Sequence, residues 1–429
     1  MRRTALVLAG LMALAVLVPS PAAVGQVMGL YYQEVEKDGR IYIFNTPEKY
    51  NAFQQSGDMG IAVTLIGRGA NGETLVGENE TAIDLYLFRH NLPAYERPTP
   101  KAPAPPDPNA WYNKIKVSGY VFGDGYYVAN HHDPVAEDVE TGFWIRRAYL
   151  TFDNTFNSNF SARLRFEMNS PGDFRATGNI TPFVKDAWLN YKRNDAFSMV
   201  MGIQPTPTFE VIETFWGYRS VEKTPVDLQR LMGSRDLGLG FKGALSNGMF
   251  KYHFLAANGG GNTEEVNDGK LAALSLGFYP TPNFFFEAYG DTEDRPLDEE
   301  RQTLQGFLGF QGDWGRVGAQ YVKQNRSQPG KADIDIAIAS GFVVFKLNPK
   351  WAFYARYDDT MDPNPGASGI AYLPMVNNAK SQLAILGADW QVAPKLNLQP
   401  NIEHVTYNAV SGPDPDDDTL VRLTMFWQF

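Results

Sequence analysis

The chain has no cysteine. Disulfides and thiolate zinc sites are therefore excluded. Histidine is almost as scarce: His90, His131, His132, His253 and His404 are the whole set. None stands in an HExxH or GxSxG context, and His253 and His404 have no evident serine or carboxylate partner. The reading is a protein that is not an enzyme, with no catalytic residues and no cofactor. A surplus of positive charge is also missing. Lys and Arg number 38 against 48 Asp and Glu, and a net charge of −10 argues against nucleic-acid binding. Beyond the N-terminus no apolar run reaches the roughly 20 residues that a membrane-spanning helix needs.

What the chain does have is 40 glycines with 28 Phe, 21 Tyr and 8 Trp, a pairing typical of β-rich chains with many turns. It opens on "MRRTALVLAGLMALAVLVPSPAAVGQ". Arg2 and Arg3, the apolar stretch 5–18 and the small residues before Gln26 have the order of a secretory signal peptide over residues 1–25. No cysteine follows the apolar stretch, so a lipoprotein is not expected.

Residues 27–92 read as a small α+β unit, expected in the periplasm. Asp38-Gly39 marks one hairpin and Asn71-Gly72 a second. "NTPEKYNAFQQSG" reads as a helix with Thr46 as cap, Pro47 at the first turn and Gly57 as stop, and "TAIDLYLFRHNLP" as another. Residues 93–110 are a Pro-rich linker, stiff and extended.

From Trp111 to Phe429 the pattern is constant. Sixteen segments alternate apolar and polar residues with period two, as in Phe160, Leu164 and Phe166 against Arg163, Arg165 and Glu167. Short connections such as "KRND", "LSNG" and "GDWG" alternate with long ones. This is the signature of a closed antiparallel sixteen-stranded transmembrane barrel, with short periplasmic turns and long extracellular loops. The final "DDTLVRLTMFWQF" puts Val421, Leu423, Met425, Trp427 and Phe429 on one face. In a barrel that face meets lipid, and the backbone pairs with the first strand. Trp111, Tyr126, Tyr127, Trp144, Tyr191, Trp314, Trp351 and Trp427 are placed to form interfacial girdles.

The stretches "GFWIRRAYLTFDNTFNSNFSARLRFEMN", "VKDAWLNYK" and "MGIQPTPTFEVIETFWGYRSVEKTPVDL" followed by "RDLGLGFKG" resemble the phosphate-selective porin O/P family over roughly residues 114–429. The resemblance implies a bacterial outer-membrane porin, usually a homotrimer, with its third loop folded inward. It does not extend to residues 27–92. It implies outer-membrane lipid and lipopolysaccharide as surroundings and small hydrophilic solutes or anions, phosphate among them, as cargo.

Selectivity then rests on the charges that line the lumen. Assigning apolar faces to lipid puts Lys116, Arg147, Arg163, Arg165, Arg422, Lys242, Lys251, Arg316 and Arg356 inside. The first four and Arg422 fall on neighbouring strands, so a basic column is expected, opposed by Asp389 and Glu403. Arg146, next to Arg147, is expected to face outward. The third loop carries Arg219, Lys223, Arg230 and Arg235 against Glu210, Glu213, Glu222 and Asp227, a balanced charge, and its apolar clusters predict that it tucks in as a constriction. The acidic stretches "DTEDRPLDEE", "DDTMDPNP" and "GPDPDDD" read as solvated loops, and the His131, His132, Asp133 cluster as incidental, with no metal. Two alternatives stay open at this point. One is a general or sugar-permeable pore with Tyr120, Tyr149, Tyr354 and Trp188 as a track. The other is a barrel that anchors a periplasmic interaction module.

Overall fold

The computed structural model describes residues 30–97, 110–133, 140–172, 174, 179–265 and 267–429. The expected signal peptide, most of the Pro-rich linker and the Trp111 side chain lie outside the described residues. The chain divides into two compact units, Met1–Pro105 and Pro106–Phe429.

The first unit is a four-stranded sheet with two helices. In chain order these are β1 (Gln33–Lys37), β2 (Arg40–Phe44), α1 (Pro47–Ser56), β3 (Val63–Leu65), β4 (Thr74–Gly77) and α2 (Glu80–Arg89). The sheet order is β1-β2-β4-β3, with β2 and β4 parallel. Asp38 and Gly39 both have positive φ (53° and 71°), which the tight β1–β2 turn requires. One core gathers Ile43, Leu75, Ile83, Tyr86 and Leu87, and another gathers Phe44, Phe53, Met59 and Val76. Thr46 sits at the start of α1 but does not cap it; its hydroxyl donates to Glu78 Oε2 at 3.1 Å. Asn79 does cap α2, accepting from the Ala82 N–H at 2.9 Å.

The second unit is a closed antiparallel barrel of sixteen strands among the described residues. Its first eight are β5 (Ile115–Asn130), β6 (Thr141–Thr155), β7 (Phe160–Asn169), β8 (Thr181–Asn194), β9 (Phe197–Pro205), β10 (Arg235–Leu245), β11 (Phe250–Ala257) and β12 (Leu271–Thr281). The rest are β13 (Phe284–Arg295), β14 (Glu299–Gly312), β15 (Gly315–Ser327), β16 (Ile334–Asn348), β17 (Trp351–Thr360), β18 (Ala379–Ala393), β19 (Leu396–Ala409) and β20 (Asp418–Gln428). Two short helices, α3 (Glu210–Trp216) and α4 (Pro225–Leu228), lie in the loop between β9 and β10.

No helix among the described residues is long and apolar enough to cross a membrane; the apolar outer surface is carried by the strands. Their alternation is visible residue by residue. In β12, Ala272, Leu274, Leu276 and Phe278 are exposed while Leu271, Ala273, Ser275 and Gly277 are buried. Exposed Phe284, Phe286, Leu308, Phe310, Phe345, Phe353, Val421 and Met425 continue this apolar band on neighbouring strands.

The register shifts at several strand pairs, and two of these shifts bring an extra cation to the inner face. Opposite β5, Phe122 pairs with Arg147 and Gly123 with Ile145, so Arg146 is an extra residue in β6. Opposite β7, Arg165 pairs with Asp186 and Phe166 with Val184, so Lys185 is an extra residue in β8. Both are β-bulges, which let two consecutive residues share one side of a strand. Arg146 is therefore not lipid-facing as the simple alternation suggested: it is 2% exposed and points inward beside Arg147.

The barrel closes where β20 pairs with β5, from Leu420–Val128 to Gln428–Tyr120. Phe429 completes the seam: its N–H donates to Gly119 O at 3.0 Å and its carbonyl accepts from Gly119 N at 3.2 Å. Gly119 is fixed by this closure. A Cβ there would stand 2.3 Å from the Phe429 ring and 2.4 Å from Tyr149 O. Gly119→Val should destabilise the barrel by about 1–3 kcal/mol, the usual cost of overpacking. It should appear as a lower unfolding midpoint on gels that separate folded from heat-denatured barrel.

Candidate functional site

The loop from Thr206 to Ser234 is the third long loop of the barrel, and it is folded into the lumen. Trp216, Val221, Val226, Leu228 and Leu231 on it are all at most 1% exposed. An apolar segment can hide in the lumen only if its carbonyls find donors there. The wall supplies them. Arg316 donates to Phe215 O at 2.6 Å and to Trp216 O at 2.8 Å. Arg146 donates to Ser220 O and to Val221 O, the latter at 2.8 Å. Arg422 donates to Val221 O at 3.0 Å, and Arg356 to Lys223 O. Gln305 and Gln324 reach Thr208 O and Leu231 O at 3.0 and 2.8 Å.

Each of these arginines but Arg316 also has a carboxylate. Arg146 is held by Asp124 at 2.7 Å. Arg356 is held by Asp358, with Nε to Oδ1 at 2.9 Å. Arg422 is paired with Glu403 and lies 3.7 Å from Glu222 on the loop itself. Three of the arginines expected to line the pore, Arg422, Arg316 and Arg356, thus clamp the loop.

A second loop joins them. Residues 361–378 carry Ala367, Ile370, Leu373 and Met375 into one apolar cluster with Trp216, Tyr218, Val221 and Leu228 of the third loop. This corrects the reading of that stretch as a solvated acidic loop; its "GIAYLPMV" run was the signal. Tyr354 lies in the same cluster, its ring 4.3 Å from that of Tyr218, and is covered rather than part of a track.

The other side of the loop faces a charged wall on β6, β7, β8 and the start of β10. Here each wall carboxylate is shared by two cations. Glu167 holds Arg147 at 2.8 Å and Lys185 at 3.0 Å. Asp186 holds Arg165 at 3.2 Å and also Arg235. On the loop, Arg219 lies 3.5 Å from Glu213 and 3.6 Å from Asp227. Burial works against the Arg219 charge, but Asp227, Tyr149, Glu213 and Glu167 outweigh it and raise its pKa. Burial likewise opposes the Asp227 charge, yet Lys223, Arg219, Lys185 and Arg147 hold it below the ordinary carboxyl value. Loop and wall therefore sense each other across this gap. Six cations (Arg147, Arg165, Lys185, Arg219, Lys223 and Arg235) face four carboxylates (Glu167, Asp186, Glu213 and Asp227). The loop charges that face this gap balance, Arg219 and Lys223 against Glu213 and Asp227, while Arg235, counted with the loop in its sequence, stands on β10. The surplus belongs to the wall.

The remaining residues sit away from this gap. Arg163 pairs with Asp153 at 2.7 Å, and Lys116 is exposed on the inward face at the short-turn end of β5. The expected basic column is thus not bare, since Arg147, Arg163, Arg165 and Arg422 each stand beside a carboxylate. Asp389, placed opposite it, accepts from Asn397 at 2.8 Å and from Gln399 at 3.2 Å. Lys242 and His253 approach Glu210 at 3.8 and 3.5 Å, and Lys251 lies over the Tyr279 ring. These four border a cavity of about 2170 Å³ that also touches Val211 and Phe215 of the third loop. A smaller cavity, about 570 Å³, touches the loop farther along, at Lys223, Asp227 and Arg230, and is edged by Arg295, Arg301 and Arg326. Arg230 donates to Gly369 O at 3.0 Å, tying the two inserted loops together.

Residues 126–208 match the family model of phosphate-selective porin O and P. This is a porin barrel of the bacterial outer membrane. Solved structures with the same fold include OmpT of Vibrio cholerae in its trimer form, at 13% identity and TM-score 0.52, covering 73% of this chain and 99% of that one. The anion-selective porin from Comamonas acidovorans is 10% identical at TM-score 0.53, covering 73% of this chain and 99% of that one. The outer-membrane channel DcaP of Acinetobacter baumannii is 16% identical at TM-score 0.51, covering 73% and 97%. No curated protein matches the chain in sequence.

The clamp makes a direct prediction. Arg422→Met leaves Glu403 buried without its partner, a loss of about 3–5 kcal/mol for a broken buried pair. We expect a lower unfolding midpoint and noisier, larger single-channel currents as the loop loosens. Arg422→Met with Glu403→Gln should recover part of the midpoint, because Glu403 then carries no charge without a partner, while Glu222 loses Arg422 and keeps Arg146 nearby.

Proposed function

We propose that the barrel is a water-filled channel for passive diffusion of small hydrophilic solutes, that it prefers anions, and that it works as a homotrimer. The observation that carries the anion preference is the surplus of two positive charges where the inserted loop faces β6–β10. Because Glu167 and Asp186 are each divided between two cations, neither cation is fully neutralised, and an anion passing between them gains what the carboxylates leave over. Lys116 extends the positive character toward the short-turn end. Phosphate fits this chemistry as one inorganic anion among several. The homotrimer draws on the trimeric neighbour OmpT. The barrel stands in outer-membrane lipid and lipopolysaccharide, and the small α+β unit, which precedes a strand starting on the short-turn side, lies in the periplasm.

Reversal potentials in a planar bilayer under a potassium chloride gradient test this reading. Wild type should favour chloride. Lys185→Gln should reduce that preference and Asp227→Asn should increase it. A unit charge at 4 Å in a water-like medium is worth about 1 kcal/mol, so each change should move the permeability ratio about fivefold. Cation preference in the wild type would sink the proposal. Because Asp227 is held below its ordinary pKa, it stays ionised as pH falls from 7 to 5. Acidification over that range should therefore not reproduce the effect of Asp227→Asn.

A further inference from the structure

Every neighbouring pair of barrel strands but one is joined by a turn or loop. The exception is the seam between β20 and β5. At its extracellular end Asn130 pairs with Thr419, and the next residues bring His131 and His132 against Asp418. One ligating atom from each of the three lies within 4.8 Å of the others.

Asp418 is fully buried. Its Oδ1 accepts from the His132 backbone N–H at 2.7 Å, and its Oδ2 accepts from the Tyr407 hydroxyl. His132 Nδ1 is 3.0 Å from both carboxylate oxygens. The His131 ring stacks on His132 with centroids 4.5 Å apart. Its Nδ1 lies 2.7 Å from Asp133 O and 3.1 Å from the Asp133 N–H. With its proton on Nδ1, His131 donates to Asp133 O. That leaves Nε2 with a bare lone pair, and this atom is buried with no partner among the described residues. A buried acceptor with nothing to accept from is unfavourable.

We propose that His131, His132 and Asp418 bind a divalent transition ion of the zinc type. The donor set selects it: two imidazoles and one carboxylate suit zinc, whereas calcium and magnesium require shells of oxygen. Asp133 O fixes the His131 tautomer in the way that outer partners orient metal-binding histidines. With bonds of about 2.1 Å, tetrahedral ligands stand about 3.4 Å apart, so side-chain rotation suffices to close the set. The fourth position is left to water. The ion then links the first strand to the last at the seam that has no covalent connection. Because it binds the closed barrel and not the opened one, it stabilises closure by mass action.

The test uses the full chain, folded in detergent and stripped with a chelator. Zinc is titrated by calorimetry, with magnesium as control, and the unfolding midpoint is followed on heat-modifiability gels. We expect one zinc per chain, a midpoint that rises with zinc and not with magnesium, and four-coordinate absorption bands when cobalt replaces zinc. Asp418→Asn also disturbs Tyr407 and the His132 backbone, so His131→Gln is the decisive variant. It should fold and should bind zinc at least tenfold more weakly. Equal zinc binding by His131→Gln and wild type, or a wild-type midpoint that zinc does not move, would overturn the proposal.

Discussion

Inside hydrocarbon an unpaired backbone amide or carbonyl costs several kcal/mol. A sheet crossing a membrane must therefore close. Closure makes an interior, and the sixteen strands of this chain leave more interior than their side chains fill. The same demand then recurs one level in. A loop entering the interior exposes its own carbonyls, and here they are met by Arg146, Arg316, Arg356 and Arg422 from the wall. These guanidiniums, buried in turn, need Asp124, Asp358 and Glu403, while Arg316 is satisfied by the loop alone. Closure, inserted loop and buried ion pairs form one chain of dependence.

That dependence divides the basic residues by task. Arg146, Arg316, Arg356 and Arg422 spend their hydrogen bonds on loop carbonyls and, Arg316 excepted, on a dedicated carboxylate. Arg147, Arg165, Lys185 and Arg235 share carboxylates two to one and keep a residual charge. The first group holds the loop against one side of the barrel; the second faces the gap left on the other. A count of arginines along the pore would merge the two groups and misjudge the field that a solute meets.

Much of this was legible in the sequence. Period-two alternation and the rhythm of short and long connections marked all sixteen strands, because both follow directly from the lipid boundary. The inward faces of β7, β17, β19 and β20 were readable for the same reason. Cross-strand partners were not, since Arg147–Glu167 and Arg165–Asp186 depend on register, which alternation leaves open. Arg146 and Lys185 were misplaced or missed because a bulge suspends the alternation that was used to sort them. Residues 361–378 were judged by their acidic start, although the buried half lies farther on, in Ile370, Leu373 and Met375.

The two bulges also bear on how such a pore can change. A substitution on a regular strand trades one lumen side chain for another and leaves the number of inward positions fixed. An inserted residue adds a position. At Arg146 and Lys185 the added residue is a cation, and beyond each bulge the lipid-facing residues resume their places unchanged. The charge of the interior is thus adjustable by length as well as by residue type, independently of the surface that the membrane reads.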